Sequence, residues 1–132
     1  MPDPFPRPIP APCPFCAIVS GKAPAEMVCR WPDSIAIRPL NPVVDGHLLV
    51  LPRVHVEDAL DDAAITGLTM QRAAELGGQY GMKQPGMGLN FITSMGAAAT
   101  QTVRHLHIHV VPRFDGDGLA LPWTGQKGGG DA

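Results

Sequence analysis

The chain of 132 residues has only three cysteines, too few and too unevenly spaced for a disulfide framework, which points to a reducing compartment. Ten Lys and Arg stand against twelve Asp and Glu, a formal net charge of −2, so no basic field is on offer to nucleic acid or to an anionic membrane. No apolar run approaches the roughly 20 residues of a membrane-crossing helix. The N-terminus lacks the charged-then-apolar layout of a secretory signal, and there is no internal repeat. These absences predict a cytoplasmic protein without nucleic-acid or membrane partners. The length is that of one domain with a core of its own.

Glycine and proline are plentiful, 15 of each, and unevenly placed. Proline occupies every even position from Pro2 to Pro14. Residues 1–12 therefore read as an extended proline-rich arm, unable to form helix or ladder. Gly128-Gly129-Gly130 marks residues 124–132 as a flexible tail, which leaves 13–123 as the folded unit. Within it, Cys16-Ala17-Ile18-Val19 before Ser20-Gly21 predicts a short helix. Two apolar runs around Pro32-Asp33 predict a β-hairpin, and His47-Leu48-Leu49-Val50-Leu51 a further strand. Residues 58–80 predict one long helix with an acidic start and a stripe through Leu60, Ala64 and Leu68. Gly88-Leu89-Asn90-Phe91-Ile92-Thr93 predicts another strand, and residues 96–102 a loop of small residues. The expected class is α+β: an antiparallel sheet of about five strands, covered on one face, with one long and one short helix.

The most informative run is His105-Leu106-His107-Ile108-His109-Val110-Val111, which holds three of the five histidines. At a strand's period of two, the imidazoles share one face and Leu106, Ile108 and Val110 the other. A row of groups that titrate near neutrality, bind metals or attack phosphorus is a candidate catalytic surface. Cys13-Pro14-Phe15-Cys16 is a C-x-x-C pair. A thioredoxin-like redox pair has the same spacing but follows a strand, whereas this pair follows the proline arm. Half of a tetrahedral zinc site is the better fit, with His55 and His105 available as partners. His55, between a strand and the long helix, is alternatively a solvated or helix-capping residue. Cys29 reads as a buried strand residue.

These runs resemble the histidine-triad (HIT) superfamily of nucleotide hydrolases and transferases. The histidine run looks like its H-x-H-x-H-x-x signature. Cys13-Pro14-Phe15-Cys16-Ala17-Ile18-Val19-Ser20-Gly21 resembles the opening of the zinc-carrying branch. Asn41-Pro42 through His47-Leu48-Leu49-Val50-Leu51-Pro52-Arg53-Val54-His55 is similar to an N-P-x-x-x-G-H-x-L-V-x-P-K-x-H element, and Gln101-Thr102-Val103 to the lead-in of the triad. The resemblance implies a structural zinc on Cys13, Cys16, His55 and His105. It implies His107 as a nucleophile toward the α-phosphorus of nucleoside phosphoramidates, nucleotide esters or dinucleoside polyphosphates, through a nucleotidyl-histidine. It also implies catalytic support from His109 and His47, substrate contacts from Gln101, Thr102, Ser94 and Asn41, and a homodimer paired through the long helix and an adjoining strand.

Three positions depart from the family pattern. Pro39 stands where an aspartate binds the ribose hydroxyls, Ser94 replaces an asparagine, and Thr100 replaces a glycine. All three fall on the ligand side, so phosphoryl chemistry is expected with altered ribose or base recognition. The rival expectation is a non-catalytic nucleotide or phosphate-ligand binding protein of the same fold.

Overall fold

The computed structural model describes residues 12–123; residues 1–11 of the anticipated arm and the anticipated tail lie outside the described residues. In chain order the elements are α1 (Pro14–Val19), β1 (Met27–Arg30), β2 (Ser34–Ile37), β3 (Leu48–Pro52), α2 (Ala63–Gln79), β4 (Met87–Ile92) and β5 (Ile108–Phe114), with a 3-10 turn at Ala97–Ala99 before β5. The five strands form one antiparallel sheet in the order β1-β2-β3-β5-β4. The α+β class, the strand number and the two helices agree with the sequence reading. Among the described residues no helix is long and apolar enough to cross a membrane.

The central strand β3 is buried along its whole length, which explains its unbroken apolar run: both of its faces are covered, not one. On one face Leu48 and Val50 pack with Ala36, Ile108 and Val110 against Ala73 and Leu76 of α2. On the other, Leu49 and Leu51 pack with Ile35, Ile37 and Phe15 of α1. Leu49 pairs with His109 in the β3–β5 ladder. Residues directly opposite in a ladder share a face, so the histidine side of β5 belongs to the α1 face. The register of β4 against β5 adds Ile92 opposite His109 and Asn90 opposite Val111 on that face.

The long helix departs from expectation at its start. Asp58 Oδ1 accepts from the N–H groups of Leu60 and Asp61, and Asp61 Oδ2 from that of Glu57. This local competition for backbone donors holds the segment in a turn. Asp62 is the N-cap, its Oδ1 accepting from Ile65 N at 3.0 Å. The buried stripe runs through Thr69, Ala73, Leu76 and Gly77, while Leu60 is 74% exposed. Gly77 permits the close helix–sheet approach: a Cβ there would meet Leu89 Cδ1 at 3.0 Å. A forked pair, Arg72 Nε and Nη2 on the two Asp33 oxygens at 3.1 and 2.7 Å, ties the β1–β2 turn to α2.

The cap supplies a direct test. Asp62→Ala leaves an N-terminal N–H of α2 without its acceptor and is expected to cost about 1 kcal/mol. In urea unfolding this reads as a lower midpoint at unchanged slope; an unchanged midpoint contradicts the assignment.

Candidate active site and metal centre

The histidine run enters its ladder later than its alternation suggests, because β5 begins at Ile108. Residues 105–107 are held by other partners. Leu106 N donates to Val56 O at 2.7 Å, and Thr93 Oγ1 to His107 O at 2.8 Å. The alternation itself persists: Leu106, Ile108 and Val110 are buried in the core. Phe15 lies edge-on to both His105 and His107, with ring centroids 5.8 and 5.0 Å away, and His107 lies 5.1 Å from His109. The three rings thus form a row, with its first member fully buried.

His105 turns toward the cysteines. Its Nδ1 lies 3.6 Å from Cys13 Sγ and 3.5 Å from Cys16 Sγ. His55 Nδ1 lies 3.6 and 3.3 Å from the same two sulfurs. All four donor atoms fall within 4.8 Å of one another. A tetrahedral ion with metal–sulfur and metal–nitrogen bonds of ~2.3 and ~2.0 Å has S···N edges of about 3.5 Å, so the spacing fits a small S2N2-bound cation. His105 Nε2 sits 2.8 Å from Pro52 O. That carbonyl can only accept, so the proton resides on Nε2 and the Nδ1 lone pair faces the cluster. Cys13 Sγ also accepts from Cys16 N at 3.3 Å, at the N-cap of α1. Burial, reinforced by Cys13, pushes the Cys16 thiol up to about 12, a penalty that a bound cation would reverse.

The other end of the row opens into a cleft of about 280 Å³ on the α1 face. His47, His107 and His109 line it with Asn90, Ser94, Thr100, Gln101 and Arg113, and an apolar side comes from Val43, Ile92, Val111 and Leu119–Leu121. Hydrogen bonds with backbone partners fix the tautomers here. His107 Nδ1 lies 2.8 Å from His105 O, so Nδ1 carries the proton and Nε2 is a free lone pair. Val43 N donates to His47 Nδ1 at 3.1 Å. His47 therefore holds its proton on Nε2 and donates it to His109 Nδ1 at 2.9 Å. His109 is left with its own proton on Nε2. The cleft pairs an imidazole lone pair with an imidazole N–H, and all three rings are neutral. Gly46, at φ +88, makes the turn that presents His47; a Cβ there would meet Pro112 Cγ at 3.2 Å.

The remaining expected substrate contacts are dispersed. Ser94 lines the cleft. Gln101 also lines it, but it is buried and its amide is spent inside the loop: Oε1 accepts from Gly96 N, and Nε2 donates to Glu57 O and Val103 O. Thr102 is exposed and lines a separate depression beside Cys13 and His55. Asn41 is exposed outside the lining of either, and Pro39 likewise contributes to neither. Thr100 adopts φ 70, a left-handed conformation that glycine adopts freely and a β-branched residue resists. Two participants, Phe15 and Arg113, went unread in the sequence. Phe15 contacts the rings of His105 and His107; Arg113 donates to Asp117, Asn90 and Leu119 O and so fixes the segment that walls the cleft. The only sequence hint for that latch is an Arg and an Asp four apart across Gly116.

The HIT domain family matches residues 20–116. The chain is a member of the HIT family. An uncharacterized HIT-like protein of Methanocaldococcus jannaschii is 33% identical over 119 residues, covering 87% of this chain and 89% of that protein. The adenylylsulfatase HINT3 of Arabidopsis thaliana is 30% identical over 116 residues, 87% of this chain and 57% of its own length. Among solved structures, a HIT family hydrolase from Clostridium thermocellum aligns with a TM-score of 0.74 at 28% identity, covering 86% of this chain and all of that one. A hypothetical histidine triad nucleotide-binding protein from Sulfolobus tokodaii aligns at 0.69 with 31% identity, covering 80% of this chain and 71% of that one.

Burial holds His47 and His107 below the usual imidazole range and takes His109 down to about 4, aided by its histidine neighbours. In the unfolded chain these groups titrate near ~6.5. As pH falls below that value the unfolded state binds protons first, so stability is complete above it and is lost toward about 4. Thermal unfolding midpoints are expected to decline through this window, and His109→Asn to decline less steeply than wild type. Parallel curves would contradict the burial of a neutral His109.

Proposed function

We propose that this HIT protein is a nucleotide hydrolase or nucleotidyl transferase that attacks an α-phosphorus through His107, with a structural zinc on Cys13, Cys16, His55 and His105. The observation that carries the reading is the 2.8 Å contact between His107 Nδ1 and His105 O, which leaves Nε2 unprotonated in the cleft at neutral pH. The Nε2 lone pair forms a bond to the α-phosphorus. The bond from phosphorus to the leaving nitrogen or oxygen breaks, and its electrons depart with the leaving group, which takes up a proton. Water then cleaves the nucleotidyl-histidine, or another acceptor does so in a transfer. Two displacements replace one difficult step. His109 presents Nε2–H to a phosphoryl oxygen or to the leaving atom, and His47 holds it in that tautomer.

The donor set of two thiols and two imidazoles suits zinc. With all four positions filled by protein, the ion would brace the fold and leave no open coordination site for chemistry. The relative named as an adenylylsulfatase supports an adenylyl-type substrate. A homodimer through α2 and β4 is in keeping with the exposed Phe91 on the edge strand, opposite Val110 of the α2 face.

The cleft also favours one leaving-group class. Among its described lining residues Arg113 is the only guanidinium or ammonium group, and it is engaged by Asp117, Asn90 and Leu119. A single phosphoryl charge finds neutral donors here, whereas a polyphosphate leaving group finds no free cation. Intact-protein mass spectrometry after brief exposure to nucleoside phosphoramidates and dinucleoside polyphosphates tests the reading. A nucleotidyl adduct is expected, formed faster from the phosphoramidates and absent in His107→Ala, which keeps one zinc per chain. No adduct and no turnover with any substrate would reduce the protein to a ligand-binding role.

A further inference from the structure

We propose that Phe15 is a positioning residue for His107 and that it couples occupancy of the Cys13–Cys16–His55–His105 centre to the alignment of the nucleophile. The inference rests on the reading of His107 as the attacking group. Phe15 stands between the two cysteine ligands, on the first turn of α1. Its ring is 8% exposed and meets His107 edge-on, 5.0 Å between centroids at 79°. It meets His105 in the same manner, 5.8 Å at 83°. Ile18 and Val19, one turn further along the same side of α1, pack against the core cluster that Phe15 shares with Leu49 and Leu51.

His107 is therefore held at two points. Its Nδ1–H is anchored on the carbonyl of His105, a metal ligand. Its ring face or edge rests on Phe15, flanked by the other two ligands of the same chain segment. Both supports hang on one four-donor cluster. α1 is only six residues long, too short to hold its own geometry in water, so its seat depends on packing and on the cysteine ligands. An ion in the centre ties α1 to His105 and presses Phe15 against His107. Without it, the two supports are joined only through the sheet core. Near-attack geometry is sensitive to small misplacements, with ~1 Å costing roughly a hundredfold, so a ring contact of this kind can control rate without touching substrate.

The test compares wild type, Phe15→Leu and, as a control in the same core cluster, Ile35→Val, each loaded with zinc or with the larger cadmium ion. Phe15→Leu keeps an apolar side chain over the core and removes only the aromatic surface. It is expected to bind one equivalent of metal, to keep KM within about twofold and to lose about ten- to a hundredfold in kcat; Ile35→Val, on β2 and so two strands away from β5, keeps kcat. In NMR spectra without substrate, cadmium for zinc is expected to move the His107 ring-proton signals in wild type through the ring current of Phe15, and to leave them largely unmoved in Phe15→Leu. Unchanged kcat in metal-loaded Phe15→Leu overturns the proposal, as do His107 signals in wild type that ignore the identity of the ion. The spectra need no turnover, so loss of this coupling is distinguishable from failure of the nucleotide reading itself.

Discussion

The imidazole of His107 carries its proton on Nδ1 because the His105 carbonyl lies 2.8 Å away and can only accept. That bond, made within the chain two residues apart, leaves Nε2 as a lone pair in the cleft, and the remaining arrangement keeps it so. His105 must hold still for its carbonyl to serve, and its ring is locked between Pro52 O and the two sulfurs. On the far side of His107, the backbone N–H of Val43 sets His47, and His47 sets His109. Four imidazoles thus have their protons assigned by hydrogen bonds that trace back to backbone groups, which cannot change their donor or acceptor character.

The fold makes this possible by using the two faces of one small sheet differently. The α2 face is a closed apolar layer. The α1 face is divided: a short helix and the cysteine–histidine cluster cover the β1–β3 half, and the cleft opens over β5 and β4. His105 and His107 lie where the two halves meet, just before β5 begins. A fully laddered strand would have spent the His105 carbonyl on a neighbouring strand. The irregular stretch from 105 to 107 releases it for the His107 ring.

Much of this was legible from pattern. The alternation of histidine with leucine, isoleucine and valine predicted which side chains enter the core, and the C-x-x-C with His55 and His105 predicted a cluster that the fold does assemble. The five strands followed from period-two runs and turn residues. The start of α2 was misread because the acidic residues from 58 to 62 suit a helix N-terminus equally well as caps or as first-turn residues. Only the side-chain bonds of Asp58 and Asp61 distinguish the two. The stripe moved with it, since Leu60 precedes the helix. Phe15 has no local signal of its own, because its contact with His107 joins positions 92 residues apart. The Arg113 latch needed the positions of Asn90 and Leu119, which no local pattern encodes.

Long-range 1H–15N correlation spectra of the histidine side chains at pH 7 read directly which ring nitrogen holds each proton. The hydrogen-bond pattern predicts His107 as the Nδ1–H tautomer, with His47 and His109 as Nε2–H tautomers and all three neutral. A His107 protonated on Nε2, or present as an imidazolium, would contradict it, because Nε2 of His107 would then offer the cleft no lone pair.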